Sequence, residues 1–231
     1  MKLKAVTFSY DDGVTQDKRL IELFNRYGLK ATFHINSGLL GTAGSLVREQ
    51  VTVPHVKPMV EEIRTIYQGH EIASHTLTHP SLSKQTDEEV IRQVEQDRLV
   101  LSEIAGYDVV GLAYPGGHYD DRVVELIRDH TGIQYARTIV SSHSFALQSD
   151  LLRFRPSVYH HGEFDKMFEM AKAFIELTPT TPQIFYIWGH AFEFDIHNTW
   201  ARMEEFCKLI SGHSDIFYGT NRDVLLDHNW Q

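Results

Sequence analysis

The chain of 231 residues has one cysteine, Cys207, so no intrachain disulfide can staple it. It is also short of basic residues: 22 lysines and arginines stand against 31 aspartates and glutamates, a net charge of -9. Nucleic acid and anionic membranes both call for basic patches, so the balance argues against either as partner, while leaving room for a locally basic cleft. No apolar run is long enough to span a membrane, and no apolar signal segment separates Met1 from the first strand. A cytoplasmic location is the expectation from that arrangement. Repeats, low-complexity tracts and linkers are absent too, so residues 1–231 read as a single domain, long enough for one α/β barrel. Hydrophobic residues at 42% and charged residues at 23% are proportions of a globular chain, not a disordered one.

What is present alternates strand-like with helix-like segments, the mark of an α/β fold with mainly parallel strands. Strands are expected at Lys4–Phe8, Ala31–Asn36, His70–Ser74, Val109–Tyr114, Tyr135–Val140, Ile184–Trp188 and Asp215–Tyr218. Helices are expected at Asp17–Tyr27, Pro54–Gln68, Thr86–Ile104, Asp120–His130, Phe164–Leu177 and Asn198–Ile210, with Ser141–Leu152 as a loop. Four polar clusters follow strand ends: Asp11-Asp12, His75 with His79, Pro115-Gly116-Gly117, and His190. In an α/β barrel the C-terminal strand ends share one face, so distant segments assemble a single site there.

The chemistry follows from the residue types. Asp11-Asp12-Gly13 alone also reads as a turn or a helix start, but two adjacent carboxylates repel and a cation relieves them. His75 and His79, four residues apart, can turn both imidazoles to one point, which suits a transition metal. Two histidines need only one carboxylate beside them, so Asp12 can serve as ligand and leave Asp11 as general base. His190, ending a late strand, is then a candidate general acid, although alone it would read as a histidine satisfying a local turn. His118, His160 and His161 read as structural or surface histidines.

The set Thr7-Phe8-Ser9-Tyr10-Asp11-Asp12-Gly13, His75-Thr76-Leu77-Thr78-His79, Ala113-Tyr114-Pro115-Gly116-Gly117 and Trp188-Gly189-His190 resembles the polysaccharide deacetylase family. This is the NodB-homology group, carbohydrate esterase family 4. The resemblance implies a distorted, incomplete TIM-like (β/α) barrel of about seven strands, with a divalent metal, zinc before cobalt, manganese or nickel. It implies Asp11 as base, Asp12, His75 and His79 as metal ligands, His190 as acid, and the backbone N–H of Gly116 as oxyanion donor. The reaction it implies is hydrolysis of an acetyl group by attack of metal-bound water.

Two positions depart from the family pattern. Its Arg-x-Pro-x-Gly segment begins here with Ala113, so the arginine that holds the base aspartate is missing. Arg137, ending the next expected strand, is the candidate replacement. The family's Asp-x-x-Asp-Trp segment has no clean match; Glu193 and Asp195, or less directly Asp165, are the candidates to orient His190, with Trp188 or Trp200 as an apolar wall. Tyr10, Tyr114, Tyr119 and Trp188 are candidates to stack on sugar faces. The expected substrate is an N- or O-acetylated oligosaccharide or other glycan, soluble if the chain is cytoplasmic. An amide or imide hydrolase of the cyclic-ureide type, and a non-catalytic sugar-binding domain, are the alternatives; sugar identity, linkage, native metal and oligomeric state stay open.

Overall fold

The computed structural model describes residues 2–227 and 230; Met1, from which the expected start was reckoned, lies outside them. Strand β1, Lys4–Asp11, is buried at every position because it is covered on both sides: Val6, Phe8 and Tyr10 point one way, and Thr7, Ser9 and Asp11 the other. Helix α1, Asp17–Arg26, packs Leu20, Ile21, Leu23 and Phe24 inward at helical spacing. Strand β2, Ala31–Ile35, then lies parallel to β1 with Phe8 opposite Ala31 and Asp11 opposite His34.

The next segment departs from expectation. Residues Ser45–Arg48 (β3) and Val51–Pro54 (β4) form an antiparallel hairpin, and helix α2 covers only Val60–Ile66, so the helix expected from Pro54 begins six residues later. Glu49 and Gln50 make the two-residue turn with φ of 51° and 66°. Such a turn needs positive φ at both centres, normally supplied by Asn-Gly or Asp-Gly, so Glu-Gln carries no hairpin signature.

Strand β5, Glu71–Ser74, is followed by helix α3, Asp87–Ile91, a π-helical turn at Arg92–Gln96, and α4, Asp97–Ala105. The single helix expected at 86–104 is thus interrupted, and Thr86 caps it by accepting from the Glu89 N–H. Strand β6 (Gly111–Ala113), helix α5 (Asp121–His130) and strand β7 (Tyr135–Arg137) continue the alternation. The short strand β8, Val158–Tyr159, carries no sequence signal of its own. Helix α6 (Phe164–Glu176), strand β9 (Gln183–Gly189), the one-turn α7 (Glu193–Ile196), α8 (Trp200–Ile210), β10 (Ile216–Tyr218) and α9 (Asn221–Leu225) complete the fold.

Seven strands lie in the order β7-β6-β5-β2-β1-β9-β8, all parallel, curled into a distorted and incomplete barrel. Strand β10 pairs with Lys4–Val6 of β1, on the edge that β2 takes from Phe8 onward. Among the described residues no ladder joins β7 to β8, which leaves the barrel open on that side. Because every pair is parallel, all the C-terminal ends open onto one face.

Candidate active site

That face carries a cavity of about 620 Å³ lined by Asp11, Asp12, His75, His79, Gly116 and His190 together with the hairpin residues Leu46 and Arg48 and the following His55 and Lys57. The cavity thus joins all the strand-end clusters read from the sequence, and adds a hairpin wall that the sequence reading lacked.

The Asp12, His75 and His79 donors converge. Asp12 Oδ1 lies 3.7 Å from Nε2 of both His75 and His79. Those gaps are too long for hydrogen bonds, yet they suit ligands about 2.0–2.2 Å from a common ion. His75 places its Nδ1 2.8 Å from the Ala113 carbonyl, which makes Nδ1 the protonated nitrogen and leaves Nε2 with a lone pair facing Asp12. Burial holds the His75 pKa down at about 4, so the ring is neutral and ready to donate. The donor set therefore fits a divalent ion of the zinc class.

The backbone around these ligands is bent to present them. Asp12, Thr76 and His79 have φ of 79°, 66° and 60°, left-handed conformations that non-glycine residues adopt only where surroundings impose them. Asn36 Nδ2 donates to the carbonyls of His75 (2.5 Å) and Thr76 (2.9 Å). The π-helical turn supplies Gln93, whose amide oxygen accepts from the Thr78 N–H and whose amide nitrogen donates to the Thr78 hydroxyl, both at 2.9 Å. Asp12 itself is held from the hairpin side: His55 Nε2 stands 3.1 Å from Oδ2, and the Lys57 ammonium donates to the Asp12 carbonyl.

Asp11 is arranged differently. Its Oδ2 is ion-paired with the guanidinium of Arg137, while its buried Oδ1 has no hydrogen-bond partner. Arg137 is wholly buried; its Nε donates to Ser9 Oγ at 3.1 Å, and its guanidinium lies 4.2 Å above the Trp188 ring. Burial works against the Asp11 charge, but Arg137, followed by His75, outweighs it and holds the carboxyl below its usual range. Arg137 sits directly opposite Ala113 in the β6–β7 register, so the cation arrives from the neighbouring strand.

His190 is held by Glu193, not by Asp195 or Asp165. Glu193 Oε1 is 3.1 Å from His190 Nδ1, and Oε2 accepts from the His190 N–H at 2.9 Å. Asp195 instead accepts from Trp200 Nε1, and Asp165 pairs with Arg202, which also removes Trp200 as the wall. Burial opposes the imidazolium, yet Glu193, then Asp12 and Asp11, raise the His190 pKa to about 9. Glu193 is a buried hub that also meets Arg48 (2.7 Å), His160 (2.7 Å) and the Tyr159 hydroxyl. Its own pKa lies well below the carboxylate range, because His190 and His160 outweigh the cost of burial. His160, read from the sequence as structural, is the fully buried prop behind this hub.

The apolar wall is Trp188, stacked on Tyr159 with centroids 4.3 Å apart. Tyr10 and Tyr114 are fully buried and cannot stack on a sugar; Tyr114 stacks on Tyr119 and donates to the Leu152 carbonyl instead. At Gly116 the φ is +58°, a left-handed conformation that favours glycine, and a Cβ there would come 2.9 Å from the His118 ring, which would have to shift.

A buried carboxylate with one free oxygen, a preorganised His₂–Asp triad and an imidazolium across one cavity define a hydrolase-type site on an incomplete parallel barrel. The Polysaccharide deacetylase family model matches residues 1–136, and the chain belongs to that family. The peptidoglycan-N-acetylglucosamine deacetylase of Listeria monocytogenes is 25% identical over 127 residues, 54% of this chain and 24% of that one, so the chain spans about a quarter of that relative. A family 4 carbohydrate esterase from Streptomyces lividans, solved with acetate, shares the fold at TM-score 0.58 and 14% identity, over 95% of this chain and 93% of that one. A CE4 family pseudoenzyme from Bacillus anthracis also shares it, at TM-score 0.54 and 14% identity, over 96% and 65% of the two chains.

Proposed function

We propose that the chain is a metal-dependent hydrolase that removes acetyl groups from a carbohydrate. The observation that carries this reading is Asp11: one oxygen fixed by Arg137, the other free in the cavity beside Asp12, His75 and His79. When bound by those three residues, a zinc-class ion supplies Lewis acidity at the reacting carbonyl. Asp11 Oδ1 takes the proton of the attacking water, and Arg137 keeps that carboxylate ionised and aimed. Gly116 lines the cavity, and its N–H is the proposed donor to the developing oxyanion. His190, kept cationic by Glu193, returns a proton to the leaving nitrogen or oxygen. Trp188 and Tyr159 offer an aromatic surface to the sugar, and Arg48 closes the hairpin side.

The intact ligand triad favours acetyl hydrolysis over the cyclic-ureide chemistry that the sequence also allowed. Soluble acetylated oligosaccharides are the substrates we propose, in keeping with the cytoplasmic expectation. The test is acetate release from N-acetylated chito-oligosaccharides, O-acetylated xylo-oligosaccharides and simple acetyl esters, with metal added back. Release that requires both the metal and Asp11 supports the reading; release unaffected by Asp11→Asn overturns it.

A further inference from the structure

Close in sequence to the cavity-lining Arg48 and Tyr159 is a second group of donors that acetyl hydrolysis leaves unused. Glu49 sits in the turn between β3 and β4, His161 follows β8, and His197 follows α7. Glu49 Oε1 is 2.6 Å from His161 Nε2, and Oε2 is 2.7 Å from His197 Nε2. The two imidazoles lie nearly parallel, centroids 5.4 Å apart and planes at 13°. One donor atom from each of the three residues falls within 4.8 Å of the others.

Three segments far apart in the chain thus deliver two imidazole nitrogens and a carboxylate to one point. That donor set is the one zinc, cobalt and nickel accept, and it matches the deeper triad in kind. We propose that Glu49, His161 and His197 form a second divalent-metal site, of the zinc class, that clamps the hairpin to the barrel rim. The ion replaces the hydrogen-bonding protons between Glu49 and the two rings, and the three donors open to about 3 Å apart around it. Water completes the coordination, because Glu49 and His197 are about half exposed.

The position gives the clamp a consequence. Arg48, next to Glu49, pairs with Glu193, and the strand after the turn leads to His55 and Lys57, which hold Asp12. Fixing the hairpin tip therefore fixes one wall of the cavity and two supports of the deeper triad.

The experiment strips the full-length protein with chelator, reloads it with Zn²⁺, and measures bound metal per chain after desalting. The expected result is two equivalents for the native protein and one for His161→Ala/His197→Ala. Glu49→Gln, which keeps side-chain size and hydrogen bonding, is also expected to lose one, and guards against misfolding of the double variant. His79→Ala is expected to retain the rim equivalent; in that background Zn²⁺ should slow tryptic cleavage after Arg48 severalfold, and adding His161→Ala should abolish the protection. Equal metal content in the native and rim variants overturns the proposal, whatever the total. Failure of the deeper site instead shows as one equivalent in the native protein and none in the rim variants.

Discussion

Two clusters in this molecule have the same composition, one carboxylate and two histidines, and opposite construction. In the inner one both histidine nitrogens stand 3.7 Å from Asp12, and two of the three ligands are held from behind, His75 by the Ala113 carbonyl and Asp12 by His55. With His75 and Asp12 held back in this way, the gap stays open for a ligand to fill. In the outer one Glu49 has closed onto both rings at 2.6 and 2.7 Å, and any ion must first displace those hydrogen bonds. The difference teaches that donor identity sets which metal a cluster prefers, while the contacts behind the donors set how tightly it is held.

The largest expected effect separates Asp11, the proposed base, from the ligands of the inner cluster. Asp11→Asn should cut acetate release by about 10²–10⁴-fold while bound metal stays unchanged, measured side by side on one preparation. Loss of metal in that variant would mean that Asp11 is itself a ligand. Next, His55→Ala frees Asp12 Oδ2 and should weaken inner metal affinity about 10–100-fold in a chelator competition, making the inner cluster resemble the outer. An unchanged affinity would show that the committed contacts are not what distinguishes them.

A smaller effect reads the acid. The Glu193 carboxylate helps raise the His190 pKa to about 9, so the proton is retained as pH rises from about 6.5 towards 9. Glu193→Gln removes that attraction, His190 deprotonates at lower pH, and the basic limb of the rate profile should move down. At pH 8 the rate should fall about tenfold, with little change at pH 6. A pH-independent loss would mean that Glu193 acts only through packing. The smallest effect belongs to the rim: Glu49→Gln should change saturated turnover by no more than about twofold while raising KM, since it loosens a wall and touches no reacting atom.

The inner cluster was legible because it lies at strand ends, where spacing along the chain survives into space. Asp11-Asp12, His75 with His79, Gly116 and His190 all line one cavity. Arg137 was readable as a candidate, and its register opposite Ala113 explains why it reaches Asp11. The supports were not legible, because their partners are far off in sequence: His55 meets Asp12 across 43 residues, and His160 meets Glu193 across 33. The hairpin hid for another reason. Its turn is Glu49-Gln50, which local preference disfavours and tertiary contacts at Arg48 and Glu49 impose. Acids near His190 gave three candidates, and only the three-residue reach from His190 to Glu193 across the start of α7 decides among them.

The pairing of Ala113 with Arg137 shows a charge delivered by strand register and not by place in the sequence. Partners opposite one another in a parallel ladder project to the same side, so a guanidinium at position 113 would start from the same face of the sheet as that of Arg137. A reading by sequence position finds Ala113 there and no cation. The coordinates find the cation on the strand beside it, paired with Asp11. The exchange variant, Ala113→Arg with Arg137→Ala, asks whether the neighbouring strand can carry the charge in its place, with acetate release as the readout.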